Sequence, residues 1–241
     1  MNDSEALLIH NLERRIKIQF KDPEMLRNAL VHRSFVNESK EQGIKHNERL
    51  EFLGDAVLEL LVTQYLFEHY AERSEGDLTS FRAATVKTES LAESSDEIGL
   101  GEYIFMSKGE ESTGGRKRPY ILANTFEALL GAIYLDQGLE IAKTFLIQNL
   151  FPKIAVIVAN RLDIDSKSKL QEVAQEQLNF TPIYEMVSSD GPDHLKVFEM
   201  AVRIGDHRFA TGRGKSKQEA EQDAATNTLE NWENLKKQFY S

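Results

Sequence analysis

The chain has 241 residues, of which 41% are hydrophobic and 28% charged, with a formal net charge of −10 and no cysteine. That length admits one large domain or two smaller ones, and the balance is that of a soluble globular protein. No apolar run approaches the ~20 residues that span a bilayer, no disulfide or thiolate metal site is available, and the net charge alone argues against a nucleic-acid partner.

In chain order, residues 5–18 place Leu7, Leu8, Leu12 and Ile16 at helical spacing. Asp22 followed by Pro23 predicts an N-cap with proline at the first helical position, opening a helix through Leu26 and Leu30. Asn37 to Gly43 is polar and reads as a connection. The stretch His46 to Leu61 predicts a helix continuing to about Tyr70, with Leu50, Leu53, Val57, Leu60 and Leu61 on one face. Glu72 to Gly76 reads as a turn, and Asp77 as the cap of a helix bearing Leu78, Phe81 and Val86. Residues 107–119, rich in Ser, Gly, Lys and Arg, read as a loop. A helix from about Tyr120 to Leu135 ends at the turn Asp136-Gln137-Gly138. Another starts near Glu140, and Pro152 breaks or kinks it before Ala159.

The pattern then changes. Asn160 to Ser166 is a short polar linker, and Lys167 to Leu178 a helix. Strands are expected at Ile183 to Val187, Val197 to Ile204 and Arg208 to Thr211. Ser216 starts a last helix, with Ala220, Ala224, Ala225 and Leu229 down one side and Glu219 placed as in a capping box. The expected fold is an all-α domain over 1–159, a linker over 160–166, and a small α+β domain over 167–238 in α-β-β-β-α order.

Chemistry gathers on the helix from His46. Glu48, Glu51 and Asp55 lie within about 60° of one another around it, where like charges repel. Either this is a solvated face or it holds a divalent cation; the stripe by itself favours the solvated face. On the helix from Tyr120, Asn124 and Glu127 stand three residues apart, and Glu127 sits in an apolar stretch where an unpaired carboxylate is costly. Gly54 and Gly131, each inside a helix at a cost of ~1 kcal/mol, suggest two helices in close approach. If those helices cross at the glycines, Glu51, Asp55 and Glu127 converge. Packing glycines with acids on the rim explains the spacing equally well. Without cysteine, a metal here is held by oxygen or imidazole, which favours a hard ion such as Mg2+. The six histidines show no ligand spacing, and His46 reads as a loop or cap residue.

Glu48-Arg49-Leu50-Glu51-Phe52-Leu53-Gly54-Asp55-Ala56 resembles the signature of ribonuclease III, the endonuclease of double-stranded RNA. The likeness continues through Glu75-Gly76-Asp77-Leu78, Gly114-Gly115-Arg116, Ile121-Leu122-Ala123 and Glu127-Ala128-Leu129, and covers nearly the whole chain, closest to the two-domain bacterial form. The resemblance implies Glu51, Asp55 and Glu127 as Mg2+ ligands, with Mn2+ as a substitute, and Asp55 and Glu127 as catalytic. Asn124 stands where the family has an aspartate; its amide oxygen can still ligate, at the loss of a full charge. Glu48 and Glu75 match acidic positions lining the RNA-binding valley. Phe52, a core residue by default, matches a knob that enters a socket on a second subunit, which implies a homodimer. The implied reaction is hydrolysis of the phosphodiester by metal-activated water, leaving 5′-phosphate and 3′-hydroxyl ends, in rRNA and mRNA processing in the cytoplasm.

Residues 165–241 carry 10 basic and 13 acidic side chains, so the second domain is not basic overall either. Locally, Arg213, Lys215 and Lys217 cluster at the start of the last helix, whose amides and dipole favour phosphate; capping and solubility explain them equally well. The element order, with Gly191-Pro192-Asp193-His194 between two strands and Gly212-Arg213-Gly214-Lys215-Ser216-Lys217 before Glu219-Ala220-Glu221, resembles a double-stranded-RNA-binding domain. Such domains read A-form shape through 2′-hydroxyls and phosphates. The likeness places Ser168, Gln171 and Glu172 in one minor groove, His194 in the next, and Lys215 and Lys217 on the phosphates between. Gln218 stands where the family often has lysine.

Two other classes stay open: a double-stranded-RNA-binding protein with weak or absent cleavage because of Asn124, and a helical metal-binding scaffold, which leaves the second domain unexplained.

Overall fold

Asn2 and Glu5 cap the first helix, α1 (Asp3–Ile16), through reciprocal side-chain to backbone hydrogen bonds of 3.0 and 3.1 Å. The computed structural model describes residues 2–39, 43–160, 166–192 and 196–239. It divides into two compact units, Met1–Asp163 and Ile164–Ser241. The linker expected over 160–166 lies largely outside the described residues.

The first unit is helical. α1 buries Ile9, Leu12 and Ile16, while Leu7 faces solvent. In α2 (Pro23–Ala29) the Asp22 carboxylate accepts from the Glu24 amide at 3.0 Å, as the Asp-Pro pair predicts. A short helix that hydropathy does not reveal, α3 (Arg33–Glu38), follows. Part of the connection expected from Asn37 to Gly43 is therefore helical, and residues 40–42 lie outside the described set. Asn47 is buried at the head of α4 (Glu48–His69), where its backbone N–H donates to Val31 O at 2.9 Å and its amide to Ala29 O at 3.3 Å. That anchor fixes where the acid stripe begins.

α5 (Glu75–Val86) starts earlier than expected, because Ser74 and not Asp77 is the cap. The Ser74 hydroxyl accepts from the Asp77 amide at 3.1 Å, so Asp77 occupies the third helical position and Glu75 the first. α6 (Thr88–Ile98) buries Ser90, Ser94 and Ser95 along with Leu91, and Ser95 Oγ donates to Leu122 O at 2.8 Å. A 3-10 turn, Leu100–Tyr103, follows. The loop expected over 107–119 instead holds α7 (Lys108–Ser112), capped by Ser107, and a 3-10 turn at Gly115–Lys117. Arg116 secures it by donating to Gly101 O and Ile104 O at 2.9 and 3.0 Å.

α8 (Pro119–Gln137) is buried along most of its length and packs on α4 at the centre of the unit. Near its end the Asp136 carboxylate accepts from the Lys21 and Asp22 amides at 2.8 and 2.9 Å, tying it to the start of α2. α9 (Leu139–Asn149) and α10 (Phe151–Asn160) meet at a bend of 50°, with Pro152 in the first turn of α10, where its missing N–H costs nothing. No single helix among the described residues is long and apolar enough to cross a membrane.

In the second unit α11 (Ser166–Leu178) precedes an antiparallel sheet in the order β1 (Ile183–Asp190), β2 (Val197–Ile204), β3 (His207–Gly214). Leu170, Ala174, Val202, Ile204, Ala224 and Ala225 form a core shared by the sheet, α11 and α12 (Lys217–Glu230). Ser216 caps α12 through the Glu219 amide at 3.1 Å. The Glu219 carboxylate reaches one residue further back than a capping box requires, to the Lys215 amide at 2.8 Å. α12 is not the last helix. α13 (Trp232–Phe239) follows, and it buries Trp232 against Phe209, with the indole N–H donating to Gln177 at 2.9 Å.

Candidate active site

α4 and α8 cross on their glycines. A methyl group on Gly54 would lie 1.8 Å from the Glu127 carbonyl oxygen, and one on Gly131 would lie 2.3 Å from that of Leu50. Only glycine at both positions admits the crossing, and it sets Glu51 and Asp55 of α4 beside Asn124 and Glu127 of α8.

The electrostatics report this convergence. Glu127 makes no ion pair among the described residues, and its carboxyl is pushed up to about 7, first by burial and then by the charges of Asp55, Glu51 and Glu59. Glu51, half-buried, is also raised, first by burial and next by Glu48, with Asp55 adding a smaller push. A hydrogen bond from the Asn124 amide works the other way on Glu51. Asp55 and Glu48 are exposed. Glu48 sits at the edge of the cluster, with Arg33 and His46 3.9 and 3.5 Å away.

Among the described residues, no group of three Asp, Glu or His side chains is placed to hold a metal ion. The donor set nonetheless suits a hard divalent cation: three carboxylates and one amide, all oxygen. Glu127 points the same way, because a half-buried carboxylate beside like charges, with no positive partner among the described residues, is costly unless something cationic compensates it. Glu51, Asp55 and Glu127 would hold the ion, and turning the Asn124 amide over would add its oxygen.

The other residues singled out from the sequence lie apart from this cluster. Glu75 opens α5, exposed and without a hydrogen bond or ion pair among the described residues. Phe52 is 79% exposed on α4, contrary to the default reading of a core phenylalanine. In the second unit Ser168, Gln171 and Glu172 share one exposed face of α11, and Lys215 and Lys217 are exposed at the start of α12. Ser168, Gln171 and Gln218 line a cleft of about 270 Å³ with Lys167, Pro182, Tyr184 and Gln222. Arg213 is less available than its neighbours, since it pairs with Glu199 at 3.4 Å. His194 lies outside the described residues.

Glu59 escaped the sequence reading. It lies one turn beyond Asp55 on the same side of α4, and its charge reaches Glu127. Extending the four-residue step from Asp55 would have found it.

Residues 22–154 match a family model described as ribonuclease-III-like, and residues 166–231 match the double-stranded RNA binding motif. Ribonuclease 3 of Carboxydothermus hydrogenoformans is 44% identical over 234 residues, covering 97% of this chain and 99% of that protein. Ribonuclease 3 of Pelotomaculum thermopropionicum is 47% identical over 218 residues, 90% of each chain. Among solved structures, a nuclease domain of ribonuclease III from Campylobacter jejuni, described for flexibility in a region involved in dimer formation, superposes with a TM-score of 0.55 at 44% identity. It covers 60% of this chain and 99% of that one.

Proposed function

The chain belongs to the ribonuclease III family of endoribonucleases, and from that premise we propose that it cuts double-stranded RNA with a divalent cation held between α4 and α8. The ion is Mg2+, with Mn2+ as a substitute, and its ligands are Glu51, Asp55, Glu127 and the amide oxygen of Asn124. The observation that carries this reading is the glycine crossing, which sets half-buried Glu127, with no ion pair among the described residues, beside the charges of Asp55 and Glu51, so that its carboxyl is pushed up to about 7. A cation there would offset the mutual repulsion.

Bound there, the ion supplies the chemistry of phosphodiester hydrolysis: a more acidic water for attack, and neutralisation of charge on the leaving 3′ oxygen. The chain's own groups prepare for it. Glu127 would ligate as the carboxylate, a form that a neighbouring cation would favour over the neutral acid. The Asn124 amide, which favours ionised Glu51, would offer its oxygen to the ion. No side-chain nucleophile is required, and the products carry 5′-phosphate and 3′-hydroxyl ends.

In the second unit, the exposed face of Ser168, Gln171 and Glu172 suits one minor groove, and Lys215 and Lys217 suit the flanking phosphates. Phe52 is the contact for a second copy of the chain, so that two sites cut the two strands of one duplex. The substrates are rRNA and mRNA precursors, in the cytoplasm. A labelled RNA duplex incubated with Mg2+ and then with EDTA tests the reading, with metal-dependent cuts expected. Binding without such cuts would favour the second reading, a double-stranded-RNA-binding protein weakened as an enzyme by Asn124.

A further inference from the structure

The acid stripe of α4 is met by cations at its ends and not in its middle. At one end Arg33, with a side chain 73% exposed, stands 3.9 Å from Glu48. At the other, Arg82 of α5 stands 2.9 Å from Glu59 through Nε, and its Nη1 donates to Thr63 Oγ1 at 3.1 Å. Neither Glu51 nor Asp55 makes an ion pair among the described residues. Arg82 is thus the one of the two arginines whose guanidinium is fixed in direction, held by two residues one turn apart on α4. Its Nη2 amine makes no hydrogen bond among the described residues, and the side chain is 36% exposed to solvent.

A phosphodiester approaching Glu51, Asp55 and Glu127 is repelled by them. A strand brought against that cluster needs fixed positive charge beside it, and a guanidinium suits phosphate because its planar donors match the oxygens. We propose that Arg82 is a phosphate-binding residue for the RNA strand beside the acid cluster, and that Glu59 and Thr63 are positioning residues that aim its guanidinium. The inference rests on the endoribonuclease reading given above. Its plain competitor is an arginine that only pins α5 to α4, and charge on the nucleic acid separates the two.

The test is fluorescence anisotropy of the full chain on a labelled RNA duplex across a KCl series, with Ca2+, another oxygen-seeking cation, in place of Mg2+. Each phosphate contact contributes close to one unit to the slope of log affinity against log salt, so Arg82→Gln should flatten that slope by about 1. Arg82→Lys keeps the charge and should keep the slope. Glu59→Gln leaves the arginine in place but replaces the charge-assisted hold on its Nε with a weaker neutral one. It should keep the slope while lowering the Mg2+ cleavage rate constant at saturating RNA about tenfold. Wild-type binding with an unchanged slope in folded Arg82→Gln would overturn this proposal alone. Should Arg82→Gln fail to fold, an unchanged rate constant in Glu59→Gln overturns it instead. Wild-type protein that neither binds nor cuts the duplex would overturn both this proposal and the family-based reading.

Discussion

Gly54 and Gly131 face each other across the crossing of α4 and α8, so that a methyl group added to either would lie 3.0 Å from the backbone nitrogen of the other. Each also abuts the opposite helix near a candidate ligand: Gly54 against the Glu127 carbonyl, and Gly131 against that of Leu50, the neighbour of Glu51. The closeness of the helices and the meeting of the acids are therefore one fact. The glycines set a backbone separation at which the charges of Asp55 and Glu51 on one helix act on Glu127 of the other.

Gly54→Ala should therefore act on stability and on the site together. The added methyl meets backbone, which cannot swing aside as a side chain would, and overpacking of this kind costs about 3 kcal/mol. Thermal unfolding should show the loss. At temperatures where the variant is folded, Mg2+ affinity should fall as well, because the ligand sets are pushed apart. Wild-type melting and affinity would show that the crossing has slack.

Asn124→Asp should tighten the cation site. It adds a fourth carboxylate and removes the amide that favours ionised Glu51. The half-maximal Mg2+ concentration for cleavage should drop by about tenfold, while the metal-free variant should melt lower through added repulsion. Superimposable Mg2+ titrations would argue that position 124 does not touch the ion.

The pH dependence carries two opposite signs. Protonated Glu127 competes with the cation, so Mg2+ affinity should rise with pH and level off above about 7, where that group titrates. The metal-free fold responds the other way. A carboxyl raised in the folded state stabilises folding while it is protonated; that contribution is full below its ordinary value near 4.5 and lost as pH rises through about 7. Calorimetric Mg2+ titrations across pH, with melting curves in EDTA, would reveal both trends, and Glu127→Gln should weaken both, leaving the contribution of Glu51, whose carboxyl is also raised.

Phe52→Asp should convert a dimer to monomers in sedimentation. In the proposed dimer a partner covers the Phe52 ring, 79% exposed on the single chain, and a charge there would have to be buried with it. A variant that still sediments as a dimer would place the contact elsewhere.

The long elements were legible because their periodicity is carried by aliphatic residues, as in α4 and α8, or by proline and aspartate at a cap, as in α2. α6 was not, because its buried positions include Ser90, Ser94 and Ser95, which a hydropathy pattern counts as polar although they lie inside the unit. α3 and α7, at six and five residues, are too short to show a period. α13 escaped because the helix before it already completes an α-β-β-β-α string, and nothing in that string announces that Trp232 enters its core. At the candidate site spacing marked the acids and both glycines but explained them equally well as packing and a solvated rim, and the family resemblance alone made ligands of the acids. Glu59 and Arg82 could not be paired that way, since their contact joins α4 to α5 across a turn.

The most direct measurement is single-turnover cleavage of a labelled RNA duplex by wild type and by Glu127→Gln, each in Mg2+ and in EDTA. Removing one carboxylate from the convergence of α4 and α8 should cost on the order of a thousandfold in rate, and EDTA should abolish wild-type cutting. A Glu127→Gln protein that cuts as fast as wild type, or wild-type cutting that continues in EDTA, would contradict a cation site between these two helices.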